Sequence, residues 1–232
     1  MNIIDEAYEL LSRRILEDID SKGFVSWALN VAKKGYDSES LWILAGLDNE
    51  NSEVIEEYFW KTVHELNLEI ENNIDEDTLN WYATYIAHKV VVDDIDLDEA
   101  IGIMYQICLF TDYDERYVPF YELKEDLDCL EYSDISPIFN SKITKENANS
   151  FIVKEFDLFL ECKKLGITKG IYESAYCNDC NEVSKPKYKI KYQLKKPRKY
   201  SILVCCICES TNIDTFKTQV GKEKILKLKS NI

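Results

Sequence analysis

Two Cys-x2-Cys pairs, Cys177/Cys180 and Cys205/Cys208, stand 24 residues apart. Two intervening residues let both sulfurs of a pair reach one edge of a single metal ion, and four thiolates at about 2.3 Å close a tetrahedron around zinc. The pattern predicts one structural Zn2+. Four protein ligands leave no coordination position for water or substrate, which argues against catalysis at the metal. Cys206 adjoins the second pair. The spacing of the first pair selects Cys205 as the ligand and leaves Cys206 packed or semi-exposed. In a reducing compartment the remaining cysteines read as buried thiols rather than disulfides.

The stretches KPKYKIKYQL and RKYSILVC alternate in polarity and are separated by Lys195, Lys196, Pro197 and Arg198, which predicts a hairpin. Residues 175–215 therefore resemble a zinc ribbon, in which two knuckles close on the metal. So small a module lacks a sufficient core, and its metal supplies the folding energy. Ribbon knuckles often carry glycine after the second cysteine; here Asn181 and Glu209 stand there. Lys185, Lys187, Lys189 and Lys191 alternate with Tyr188, Ile190, Tyr192 and Leu194, so a strand would put the ammonium groups on one face and the apolar groups on the other. Three roles compete for that lysine face: phosphate contacts to nucleic acid, protection of a sheet edge, and docking on the chain's own acidic helices.

Charge is strongly polarised. Residues 177–232 hold 13 basic and 5 acidic side chains, a net of +8, whereas residues 1–176 carry −23 within an overall −15. So acidic a body repels nucleic acid and attracts basic partners. Its candidate partner-binding acids are Asp93, Asp94, Asp96 and Asp98, and Glu53, Glu56 and Glu57. The change of sign near the first cysteine pair predicts two domains, an acidic all-helical one over 1–170 and a basic zinc-ribbon module over 171–232. The first turns are acidic, unlike a secretory leader, and no apolar run approaches the roughly 20 residues of a membrane span. A cytoplasmic protein is expected.

Other constellations fall short of chemistry. His64-Glu65 begins like HExxH, but Leu68 occupies the second histidine position. Asp94-x-Asp96-x-Asp98 lacks the glycine and the bidentate glutamate of a calcium loop, with Glu99 and Tyr105 in their places. His88 stands alone at a helix end. No catalytic residue is assigned.

The elements that must position these groups are mostly helices. Ile4, Tyr8, Leu11, Ile15 and Ile19 form a stripe over 3–19, broken by Gly23. Helices follow over 24–32 and over SESLWILAGL, capped by Asp37 or Ser38, then from Asn51-Ser52 with Val54, Tyr58, Phe59, Val63 and Leu66 inward. A fifth starts at Asp75 or Asp77, and Asp96 caps a sixth over 98–110. Residues 114–131 are helical in composition but interrupted by Pro119. Thr144 caps a last helix over 145–164, stopped by Gly166. The four tryptophans, at 27, 42, 60 and 81, read as core. The fold class is mainly α, a helical bundle or short irregular solenoid of about eight helices with a small C-terminal β zinc ribbon.

Within that body GYDSESLWILAGL, followed by EVIEEYFWKTVHELNL, resembles a pattern near the start of small, acidic, helical bacterial proteins, some of them similar to immunity proteins that neutralise secreted toxins. The resemblance implies a protein-binding module of the immunity or antitoxin kind with a basic, toxin-like or nuclease partner, and names no active residue. The alternative is an accessory protein that binds nucleic acid through Lys185, Lys187, Lys189 and Lys191.

Overall fold

A computed structural model describes residues 2–16, 20–70, 76–132 and 136–230. Ile19 and Asp75 lie outside them. The fold is mainly α with a small C-terminal β region. The chain divides into two compact units, Met1–Tyr85 and Ile86–Ile232. The boundary expected at 170/171 falls within the second of these units.

The first unit contains α1 (Ile3–Ile15), α2 (Lys22–Lys33), α3 (Glu39–Ala45), α4 (Ser52–Glu65) and the start of α5 (Glu76–Val91). Side-chain caps start three of them. Asn2 accepts from the backbone N–H groups of Ile4 and Asp5, Ser38 from that of Leu41, and Asn51 from that of Val54. Asp37, the other candidate cap, instead accepts from the Trp42 indole at 2.7 Å, which keeps that ring exposed rather than in the core. Phe59 is the centre of packing, 4.5 Å from Phe24 and 5.1 Å from both Trp27 and Trp60. The buried line of α1 is Ile3, Ala7 and Leu11, so the inward stripe is rotated by one residue from Ile4, Tyr8 and Ile15. Gly23 lies inside the first turn of α2 rather than in a break before it.

The second unit begins within α5 and continues through α6 (Leu97–Phe110), α7 (Val118–Tyr132) and α8 (Ala148–Lys164). Asp96 caps α6 as expected, accepting from the N–H groups of Asp98 and Glu99. Pro119 opens α7 instead of interrupting it, because the first helical turn needs no N–H from that residue. Thr144 does not cap α8: residues 145–147 form a turn, and the Asn147 side chain accepts from the Thr144 N–H at 2.8 Å. Phe120 meets Phe156 at 4.7 Å and Phe159 at 5.6 Å in the core. The buried Asp126 accepts from the N–H groups of Ile138, Phe139 and Asn140 and so fixes the loop after α7.

A short 3-10 turn (Lys169–Ile171) leads into β1 (Ala175–Cys177), β2 (Val183–Ser184), β3 (Lys187–Tyr192), β4 (Lys199–Val204) and β5 (Ile213–Thr215). Antiparallel pairing gives one sheet of order β2-β1-β5 and a separate β3-β4 hairpin. An additional helix, α9 (Gln219–Lys229), closes the unit. Gly221 lets it approach β5 so closely that a Cβ there would lie 2.0 Å from the Thr215 carbonyl oxygen. Its Ile225 and Leu226 share a core with Phe216 and with Leu158 and Cys162 of α8, which is why the ribbon belongs with these helices.

Candidate metal centre

Each knuckle is built the same way. The Asn181 N–H donates to the Cys177 carbonyl at 2.9 Å and the Glu209 N–H to the Cys205 carbonyl at 3.1 Å. Both turns then need a left-handed residue, and Asn181 and Glu209 each sit at φ 60°. Asparagine tolerates this region readily; glutamate does so at a cost. Glu209 is held there by Lys187 at 3.0 Å and Lys189 at 2.6 Å. Hydrogen bonds from Lys189 and then Lys187, with their charge, keep its carboxyl down at about 2.

The knuckles bring the Sγ atoms of Cys177, Cys180, Cys205 and Cys208 within 4.8 Å of one another, a group that can hold a metal ion. Cys177 and Cys208 are 3.5 Å apart, Cys180 and Cys205 3.7 Å. Backbone N–H groups of Cys208 and Ile207 aimed at the Cys205 sulfur hold that thiol down at about 6. At Cys180 the Glu182 N–H is outweighed by desolvation and the neighbouring sulfurs, and the thiol rises to about 12. Cys206 is exposed and stands outside the group. Burial pushes Cys108 to about 11 and Cys162 to about 12, which leaves both as unreactive thiols.

A polar network that the cysteine spacing does not reveal joins the knuckles. Asp179 accepts from Ser210 Oγ and from Asn212 Nδ2, and these bonds lower its pKa. Asn178 donates to Asp214 at 2.8 Å, and Lys224 of α9 reaches Asp214 at 2.6 Å and Asn178 at 2.5 Å. The available signal is compositional: Asn178, Asp179, Ser210 and Asn212 are polar residues crowded beside both cysteine pairs.

The expected lysine row is divided. Lys187, Lys189 and Lys191 fall on β3, whereas Lys185 precedes the strand and pairs with Glu173. With Lys187 and Lys189 on Glu209, three of the four are engaged within the chain. The apolar residues that alternate with them are exposed rather than packed. Asp93, Asp94, Asp96 and Asp98 are all exposed at the α5–α6 turn and the start of α6. On α4, Glu53 is exposed, Glu57 pairs with Lys61 at 2.6 Å, and Glu56 with Arg14 at 2.8 Å. The two acidic groups belong to different compact units. Glu65 is occupied by the hydroxyl and N–H of Ser40, which lower its pKa, and His88 is exposed in the last turn of α5.

Comparison with known proteins finds no family model, no curated protein and no solved structure that matches this chain. Among the described residues no helix is long and apolar enough to cross a membrane.

Proposed function

We propose that this chain is a protein-binding module of the immunity or antitoxin kind, its ribbon locked by one structural zinc ion and its acidic helices covering a basic, phosphate-gripping surface on a toxin or nuclease partner. Zinc is favoured because tetrahedral bonds of about 2.3 Å place sulfurs roughly 3.8 Å apart, close to the observed 3.5 and 3.7 Å pairs, and because four soft thiolates suit it. With every position taken by sulfur, the metal's role is to hold the fold.

The observation that carries the partner reading is where the acid surplus lies. Residues 86–232 hold 22 basic and 24 acidic side chains, so the ribbon nearly offsets the helices it packs on, whereas residues 1–85 hold 6 and 19 and keep −13. Such a surplus adds self-repulsion to the folded state and speeds encounter with a cationic surface. On this helical unit it also disfavours nucleic acid, the competitor for a nuclease's site.

The test reverses charge without touching caps or internal ion pairs. Glu53→Lys in the first unit and Asp94→Lys in the second spare Asp96, Glu56 and Asp93, whose backbone sits at φ 60°. At least one variant is expected to slow association with a basic partner protein by about tenfold, with salt sensitivity reduced and melting temperature unchanged. An acidic native partner, or full tolerance of reversal in both clusters, would mean that the acids serve solubility alone.

A further inference from the structure

We infer that the β3–β4 hairpin is a stacking platform for single-stranded nucleic acid, with bases on Tyr188 and Tyr192 and phosphates on the cations around its tip. The pairing register fixes the faces. Tyr188 lies opposite Leu203, Ile190 opposite Ser201 and Tyr192 opposite Lys199, and directly opposed residues of an antiparallel pair project to the same side. The two rings and Ile190 therefore share one face, and Lys187, Lys189 and Lys191 take the other.

That apolar face is open to water. Tyr188 is 78% exposed, Ile190 48% and Tyr192 77%, and Leu194 at the tip is fully exposed. Four residue steps along the strand separate the tyrosines by about 13 Å, with an aliphatic side chain between them. Residues 185–199 contain eight basic side chains and no acidic one. The engaged lysines at 185, 187 and 189 have their charge offset, so Lys191, Lys195, Lys196, Arg198 and Lys199 remain as the cationic set. Flat, rigid rings beside unshared cations fit a ligand that is anionic and has exposed aromatic faces, which describes unpaired bases on a phosphate backbone.

Other occupants fit less well. A duplex keeps its base faces inside the stack, where the tyrosines cannot reach them. A second copy would bring two cationic tips together. An anionic membrane approached at the tip would meet Leu194 among cations and leave Tyr188, six residues back, without a role. The acid surplus belongs to residues 1–85, whereas the unit that carries the hairpin holds 22 basic and 24 acidic side chains and is close to neutral. The inference is independent of the partner reading, which rests on the helices.

The experiment uses the full chain and fluorescence anisotropy with labelled oligo-dT and oligo-U strands at low salt. A matching duplex and phosphatidylserine vesicles serve as competitors. Single strands are expected to bind and to outcompete both. Tyr188→Ala and Tyr192→Ala are each expected to weaken binding about tenfold with the salt slope unchanged, as for loss of one stacked base. Lys195→Ala and Arg198→Ala are each expected to flatten the slope by about 0.7. Metal content equal to the parent's shows that each variant keeps its ribbon. Absence of single-strand binding at low salt, tyrosine variants that bind like the parent, or preference for duplex or vesicles would each overturn the inference.

Discussion

Lys222 of α9 is buried against Glu155 of α8, the two side chains being 4% and 6% exposed. Gln219 adds a donor to the same carboxylate at 3.3 Å and another to the Phe151 carbonyl at 2.8 Å. An ion pair out of water stabilises little beyond an apolar pair of the same shape, but loss of one partner strands a buried charge. Lys222→Met is therefore expected to cost about 3–5 kcal/mol in denaturant unfolding. The double variant Glu155→Leu with Lys222→Met should recover most of it. A double variant as unstable as the single one would show that packing, not pairing, sets the cost.

Removal of the ribbon should injure the helices. Leu158 and Cys162 of α8 are covered by Phe216, Ile225 and Leu226, with Ile167 and Tyr172 at the margin. A chain ending at Gly170 exposes that face, and each large apolar side chain uncovered forfeits roughly 1.5–3 kcal/mol. The fragment is expected to bind an apolar dye and to melt broadly by circular dichroism. A sharp melt without dye uptake would mean that the helices of 86–170 satisfy one another.

What was legible in the sequence was what local chemistry decides. The cysteine spacing, the caps at Ser38, Asn51 and Asp96, the stop at Gly166 with φ 59° and the onset of alternation after Tyr176 all act within a few residues. Contacts across the chain were not legible. The helix α9 carries Gly221, which reads as a breaker, yet the glycine is there because Thr215 leaves no room for a side chain. The unit boundary was hidden because charge changes sign near residue 177 while the apolar core runs through that point. Likewise, alternation in β3 specifies two faces but not whether either meets a partner within the chain.

Acid should weaken the hold on the turn that leads into the ribbon. Burial alone would raise the Asp114 carboxyl. Hydrogen bonds and charge from Arg116, at 2.8 Å, and Lys169, at 3.0 Å, outweigh it and bring the pKa to about 2. A carboxyl lowered in the folded state contributes stability above its ordinary pKa near 3.8 and loses that contribution as pH falls from about 4 toward 2. Asp114→Asn is expected to cost roughly 1–2 kcal/mol near neutral pH, allowing for solvent screening of its partners. In urea unfolding measured across pH, the gap to the parent should narrow below about pH 4 and close near pH 2. A gap that stays constant would assign the loss to packing.

The metal centre makes the most direct prediction. The purified chain should carry one zinc per molecule by elemental analysis. Cys177→Ser and Cys208→Ser should each lose it, because a neutral hydroxyl replaces a thiolate in a closed four-sulfur set. Cys206→Ser should keep it, since that side chain is exposed and lies outside the cluster. Chelation should unfold β1, β2 and β5 in the metal-bearing protein, because the knuckles that join these strands are stapled by the ion. Cys205 decides the assignment of the second knuckle. Its sulfur lies 3.7 Å from that of Cys180 and accepts the Ile207 N–H at 3.4 Å, a geometry that positions it toward the other three. Zinc retained in Cys205→Ser and lost in Cys206→Ser would move the ligand by one residue and invert the knuckle, and with it the left-handed placement of Glu209.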